Sequence, residues 1–354
     1  MATMIQAIRM ALAYGEQHLG VTDVYGEDVG PPLGGVFTGS MGLKTAWNSP
    51  LDERGIIGFA IGLAMGGQKP VAEIQFVDYI YNTIDLLKIA GNTTWATAGD
   101  WCVPMVVMTP VGSGIRGSIY HSHSFDAMMT HIPGWKIVMP STPLDAYGLM
   151  LAAIKDPNPV MFMKPKALLR VRPPAEDQLI PGEPADEKVL KDMIDAPLGD
   201  RSAWKPRWPK LEDYTVEIGK GRIRRAGSQL TIVSYGRTLP LCLQAANQLA
   251  DEGIDAEVID LRSLWPYDWD MISESVRKTH KVLFVNEDTE VTNFGEHLLR
   301  RAVEEFFYEL EAAPKLLAGA HLPGIGLADA LEMASVPQLA SITAAIRELA
   351  AEVP

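Results

Sequence analysis

The chain has only two cysteines, Cys102 and Cys242. A disulfide framework is therefore excluded, and both thiols, set in apolar stretches far apart, read as reduced core residues of a cytoplasmic protein. Basic residues are also scarce: 31 Lys and Arg against 44 Asp and Glu leave a formal charge of −13. That balance argues against nucleic acid, whose phosphates draw on surplus Lys and Arg, and suits a soluble protein that receives a basic partner. No apolar run reaches the roughly 20 residues needed to cross a bilayer. At the N-terminus Met4, Ile5, Ile8, Ala11 and Leu12 form a helical stripe rather than the h-region of a secretory signal. Internal repeats and low-complexity tracts are lacking too.

What is present is an ordinary globular composition, 47% hydrophobic over 354 residues, enough for two cores at roughly 100 to 200 residues per domain. From 1 to about 172, β-rich runs (VTDVYGEDV, PVAEIQFVDYI, VPMVVMTPVG, WKIVMPSTP, PVMFMKPK) alternate with helical ones. Strands spaced by helices predict βαβ units and a parallel sheet covered on both faces. Residues 173–218 break the pattern with Pro173, Pro174, Pro181, Pro184, Pro197, Pro206 and Pro209. They read as a linker or insertion with one short helix over Glu187–Ile194 and with Trp204 and Trp208 as surface anchors. A second α/β alternation fills 219–354.

Several stretches could carry chemistry. Gly112-Ser113-Gly114-Ile115-Arg116-Gly117 matches GxGxxG, yet the next strand, WKIVMPSTP, ends without the acid a dinucleotide site wants, so a flexible loop closing over a site is expected. His121, His123 and His131 follow it. No carboxylate or cysteine stands where it would complete a metal set, which leaves proton transfer beside plain surface or core roles. Gly58, Gly62 and Gly66 form a glycine face on an apolar helix, where another backbone, a strand or a partner subunit, is expected to approach closely. In NSPLDERG, Ser49 and Asp52 fit a capping box and Pro50 a first-turn position. Glu53 is one acid more than capping needs, and stays open between a solvated residue and a buried functional acid.

Taken together, NSPLDERGIIGFAIGLAMGG, AEIQFVDYI, PVGSGIRGSIYHSHSFDAMMTHIPGWKIVMPSTP and AIKDPNPVMFMKPK resemble the β subunit of the thiamine-diphosphate-dependent E1 component of 2-oxo acid dehydrogenase complexes, branched-chain type foremost. EVIDLRSLWPYD and VLFVNEDTEVTNFGEHL extend the likeness to about residue 300. The resemblance implies a transketolase-like α/β fold: a pyrimidine-binding parallel-sheet domain over 1–172 and a smaller C-terminal α/β domain over 219–354. It implies that Glu53 shares a proton with N1′ of the cofactor's aminopyrimidine, that Leu51, Gln75 and Tyr79 line the pyrimidine pocket, and that His121 serves as proton donor during acyl transfer to a lipoyl group. His131 matches a further family histidine. Asp156 and Asn158, in KDPNPV, resemble a structural potassium loop, though a plain turn explains the same residues.

The GDG motif with which family α subunits hold Mg²⁺ and the cofactor's diphosphate is missing. The resemblance therefore implies half an active site, completed by an α subunit in an α2β2 assembly that feeds a lipoyl-bearing E2. Departures from the family pattern are the long 173–218 stretch, a shorter segment before NSPLDERG, Lys164 where an acid is common, and HLPGIG near the C-terminus. Pyruvate or acetoin chemistry, half of a split transketolase, and a non-catalytic assembly subunit are the competing expectations.

Overall fold

Alternating apolar runs and helical stretches build two open sheets in the computed structural model, which describes residues 1–172, 178–197, 199–201 and 203–353. The chain divides into a first unit, residues 1–110, 132–164 and 168–218, and a second, residues 111–131, 165–167 and 219–354.

In the first unit, β1 (Asp23–Gly26), β2 (Ala46–Asn48), β3 (Pro70–Glu73), β4 (Val106–Val111), β5 (Lys136–Val138) and β6 (Val160–Pro165) run in the order β5-β6-β4-β3-β1-β2. β1 pairs with β2 and β3 in parallel, as do β3 with β4 and β5 with β6. Every residue of β3, β4 and β6 is buried, which is why these strands read as unbroken apolar runs rather than alternating ones. Two charges break that rule. Lys164 on β6 reaches Glu73 on β3, forming an ion pair with both side chains 0% exposed. Glu73 Oε1 also accepts the Val36 N–H at 2.9 Å, tying down the loop that follows β1.

The helix Met4–Tyr14 starts in a capping box between Thr3 and Gln6 and is buried from Met4 to Ala13. The helix Pro143–Lys155 and the described part of the 178–218 segment cover it. Within that segment the expected helix forms at Glu187–Ile194, burying Leu190 and Ile194. Asp195 at its end accepts from Gln6 Nε2 at 3.0 Å and pairs with the guanidinium of Arg9. Trp204 and Pro206 lie against Gly42, so the segment is a strap packed on the first unit. Pro173 and Pro174 lie outside the described residues.

Two expectations are corrected here. Cys102 is exposed, while Cys242 is a core residue whose thiol burial pushes up to about 12. The apolar neighbourhood of Cys102 misled because Val103 and Met105 turn inward while Trp101 and Cys102 do not. The helix Glu53–Met65 buries Ile56, Ile57, Ala60, Ile61 and Ala64 but leaves Phe59 and Met65 exposed. Among the described residues no strand backbone approaches its glycine face at Gly58 or Gly62, which corrects the strand expectation and leaves the partner-subunit one untouched. A methyl added at Gly62 would meet nothing within 4 Å, and at Gly58 only Leu86 at 3.6 Å.

In the second unit β7 (Arg222–Arg225), β8 (Leu230–Ser234), β9 (Ala256–Asp260), β11 (Val282–Thr289) and β12 (Lys315–Gly319) form a sheet in the order β12-β11-β8-β9-β7; β10 (Ser263–Trp265) is a short strand after β9. The pairs are parallel except for the β7 edge, which runs antiparallel to β9. Leu230, Ile232, Cys242, Val258, Val285 and Ile346 are among the residues of its core.

Candidate active site

Three neighbouring parallel strands of the first unit end level with one another: Gly26 of β1 pairs with Asn48 of β2 on one side and with Glu73 of β3 on the other. The residues that follow them therefore share one edge, and the carboxyl edge of a parallel sheet is where such folds bind ligands. After β2 come Ser49, Leu51 and Glu53; after β1, Glu27 and Asp28; after β3, Gln75 and Tyr79.

Glu53 is the first residue of its helix, where an acid is favoured by the converging N–H groups. The expected capping box does not form. Asp52 N–H turns back to the Pro50 carbonyl at 3.0 Å, the Ser49 hydroxyl donates to that same carbonyl at 3.0 Å, and Asp52 holds the N-cap position without a side-chain bond. The helix thus begins three residues later than a Pro50 start, and Glu53 sits half-buried at its mouth.

Glu27 sits in the same field. Its Oε1 is enclosed with no hydrogen-bond partner among the described residues, and burial, then Glu53 and Asp28, raise its pKa above the ordinary carboxylate value. Burial, then Asp78, Glu27 and Glu53, raise the Tyr79 phenol. Gln75 Nε2 donates to Asp28 Oδ2 at 3.2 Å, and Leu51 is 79% exposed. Glu53, Gln75 and Tyr79 are therefore brought to one edge, with Glu27 and Asp28 beside them. Sequence reasoning missed those two acids because it read VTDVYGEDV as one strand, whereas β1 stops at Gly26. The adjacent Gly30-Pro31-Pro32 was the available sign of a loop. Behind this edge, Tyr25, Trp47 and Phe59 line a cavity of about 250 Å³ together with Ser49, Pro50, Asp52, Gly55 and Ile56. Tyr25 stacks on Trp47 with centroids 4.6 Å apart and donates to the Ile56 carbonyl at 2.7 Å.

The second unit carries the histidines. His121 ends the short helix Ser118–His121 and is half-buried, while His123 and His131 are exposed. The GxGxxG stretch before them is not a free loop. Glu287 accepts from Ser113 N–H at 3.2 Å and from its hydroxyl at 2.8 Å, and Glu332 accepts from Gly114 N–H at 2.7 Å and Arg116 N–H at 3.2 Å. Amides already held by carboxylates offer no phosphate cradle.

Asp156 and Asn158 meet in a turn. Asp156 Oδ2 lies 2.5 Å from Lys136 Nζ, and its Oδ1 accepts from Asn158 N–H at 2.9 Å and Asn158 Nδ2 at 3.0 Å. These three donors, Lys136 and the two nitrogens of Asn158, hold the turn together. Among the described residues no group of three or more His, Cys, Asp or Glu could hold a metal, and no helix is long and apolar enough to cross a membrane.

Residues 1–172 match the family described as "Transketolase, pyrimidine binding domain", and residues 219–342 match "Transketolase, C-terminal domain". The chain is similar to the 2-oxoisovalerate dehydrogenase subunit beta of Bacillus subtilis, 36% identical over 98% of either chain. To the subunit of that name in Pseudomonas aeruginosa it is 38% identical, over 98% of this chain and 94% of the other. The chain belongs to the E1 β-subunit family of the 2-oxo acid dehydrogenases. The pyruvate dehydrogenase E1 component subunit beta of Acholeplasma laidlawii is 34% identical over 98% of both chains. Among solved structures, a split-gene transketolase described as an inactive β4 tetramer superposes with a TM-score of 0.73 at 19% identity, covering all of both chains, which establishes the shared fold. An E1 β subunit is an enzyme component, and its pyrimidine-binding domain implies dependence on thiamine diphosphate and a complex with an α subunit and an E2.

Proposed function

We propose that this E1 β subunit serves a branched-chain 2-oxo acid dehydrogenase in the cytoplasm, with an α subunit completing each active site in an α2β2 assembly. The observation that carries the reading is Glu53 at the mouth of its helix, grouped electrostatically with Glu27 and Tyr79 on the carboxyl edge of the sheet. These residues fit an aminopyrimidine. A ring nitrogen that takes up a proton is stabilised by an adjacent carboxylate, and the enclosed, partnerless Glu27 Oε1 is a group such a ligand can satisfy.

Bound thiamine diphosphate supplies the carbon nucleophile for the 2-oxo group and accepts the electron pair left when CO2 departs. Glu53 holds and returns a proton at N1′, while Gln75, Tyr79 and Leu51 border the pyrimidine and exclude water. His121 would give a proton to the lipoyl sulfur freed as the S–S bond breaks and the other sulfur takes the acyl group. The metal that holds the diphosphate belongs to the α subunit, since this chain lacks GDG. A structural potassium ion at Asp156 and Asn158 would share the Asp156 carboxylate with Lys136.

The branched-chain substrate is favoured by the two relatives named for 2-oxoisovalerate, at 36% and 38% identity; pyruvate is the second reading, on the relative at 34%. Co-purification with an α subunit and decarboxylation over a 2-oxo acid series decides between them. In that complex Glu53→Gln should lower decarboxylation by about 10²–10⁴-fold. Full activity in the variant would remove Glu53 from the chemistry.

A further inference from the structure

The segment that carries His121 is seated at both ends by carboxylates of the second unit. Near its start Glu287 and Glu332 hold the amides of Ser113, Gly114 and Arg116. Near its end Asp288 Oδ2 accepts the Ala127 N–H at 3.1 Å, and Asp288 Oδ1 accepts the Thr289 N–H at 2.9 Å.

Asp126, next to Ala127, is 1% exposed. Its Oδ2 accepts from the Tyr235 hydroxyl at 3.0 Å, and its Oδ1 is enclosed with no hydrogen-bond partner among the described residues. The titratable and charged groups around it are Asp288 and Glu287 from β11, Tyr235 after β8, and His123 of its own segment, which acts on Asp288. Arg237 lies 3.8 Å from Glu287, so that cation is committed to another acid. A buried carboxylate needs several donors or a cation to stay ionised. Burial raises the Asp288 carboxyl too, but the two backbone amides of Ala127 and Thr289 and the charge of His123 oppose it, whereas Asp126 has the Tyr235 hydroxyl, a main-chain bond at Phe125 and like charges beside it. Burial, then Asp288, accordingly raise the Asp126 carboxyl well above its ordinary range, against the smaller opposing pull of the Tyr235 bond.

We propose that Asp126 is a positioning residue for His121: held uncharged, it lets the Asp288 carboxylate stay ionised beside it and keep the Ala127 amide, which seats the far end of the His121 segment. The proposal rests on the role given to His121 above. Ionisation of Asp126 releases one proton to solvent and sets two carboxylates against each other, and the seat loosens.

Hydrogen exchange on the full chain tests this without turnover, so its outcome is separate from that of the Glu53 assay. Protection factors over 113–127 should fall by about tenfold or more between about pH 6 and about pH 9 in the wild type. Asp126→Asn, a neutral isostere that still accepts from Tyr235, should match the wild type near pH 6 and show no such fall. Asp126→Ala should lose protection throughout and shift the NMR titration of the His121 imidazole, which Asp126→Asn leaves in place. The proposal is overturned if Asp126→Asn follows the alkaline loss of the wild type, if it loses protection near pH 6, if the wild type shows no fall, or if Asp126→Ala leaves the His121 titration unmoved.

Discussion

Lys164 and Glu73 offer the sharpest test of how the first unit is held together. Both side chains are 0% exposed, and among the described residues the Glu73 carboxylate accepts, besides the ammonium, from the Val36 N–H at 2.9 Å. Lys164→Met keeps the length and apolar stem of the side chain but strands a carboxylate among β3, β4 and β6. Removing one partner of a buried pair costs about 3–5 kcal/mol, whereas removing both charges together is close to neutral. For a unit of roughly 200 residues that is a fall in Tm of roughly 6–20 °C. Glu73→Gln with Lys164→Met keeps the acceptor for Val36 and should return Tm to within about 4 °C of wild type. Thermal unfolding of the four chains of the cycle, followed by circular dichroism, supplies the coupling directly. A single Lys164→Met variant that melts within about 2 °C of wild type would refute the argument, as would a double variant no more stable than the single one. The loop that Glu73 holds through Val36 also carries Glu27 and Asp28. Lys164→Met should therefore weaken cofactor binding in the assembled complex, and the double variant should restore it.

Four further outcomes follow. Asp195→Ala leaves the Arg9 guanidinium, 2% exposed, without its counter-ion; since Asp195 is itself 28% exposed, the loss should be about 2 kcal/mol by urea unfolding, with faster limited proteolysis of the strap. Gly112→Ala puts a methyl where φ is +82° and where it would collide with Glu287 Oε1, so about 1–3 kcal/mol of stability in the second unit should go, together with exchange protection at Ser113. Because folding raises the Asp126 carboxyl, the stability it contributes is whole below the unfolded value near 4 and is lost as pH climbs toward the folded value; Asp126→Asn should erase that slope in Tm against pH. Iodoacetamide at about pH 8 should label Cys102 in the native chain and leave Cys242, held at about 12, unmodified until denaturation; labelling of both at equal rates would contradict the burial.

The reach of the sequence depended on distance along the chain. Apolar runs spaced by helices gave the parallel sheet of the first unit, and the Glu187–Ile194 helix was legible too, because those patterns are local. Glu53 was legible as a surplus acid at a helix mouth. Its neighbour Glu27 was not, since only the registers of β1, β2 and β3 make their ends level. The Lys164 and Glu73 pair and the grip of Glu287 and Glu332 join residues roughly 90 to 220 positions apart, which no periodicity encodes. Ser49 failed as a cap for a local reason: the turn from Asp52 back to Pro50 takes the chain out of the geometry a capping box needs.

The grip on the His121 segment has an evolutionary consequence. Acids from elsewhere in the second unit hold it through main-chain amides at 113, 114, 116 and 127. The amide bonds themselves place no demand on side-chain identity apart from excluding proline, although Ser113 adds its hydroxyl to Glu287 and Gly114 sits at a positive φ where a methyl would meet Ala167. The frame is therefore separable from its contents. Exposed side chains of the segment such as Ile119 and Tyr120 can drift or be redesigned to suit a different substrate while the segment, and His121 on it, keeps its place, so a subunit of this kind can change its chemistry's preferences without rebuilding its fold.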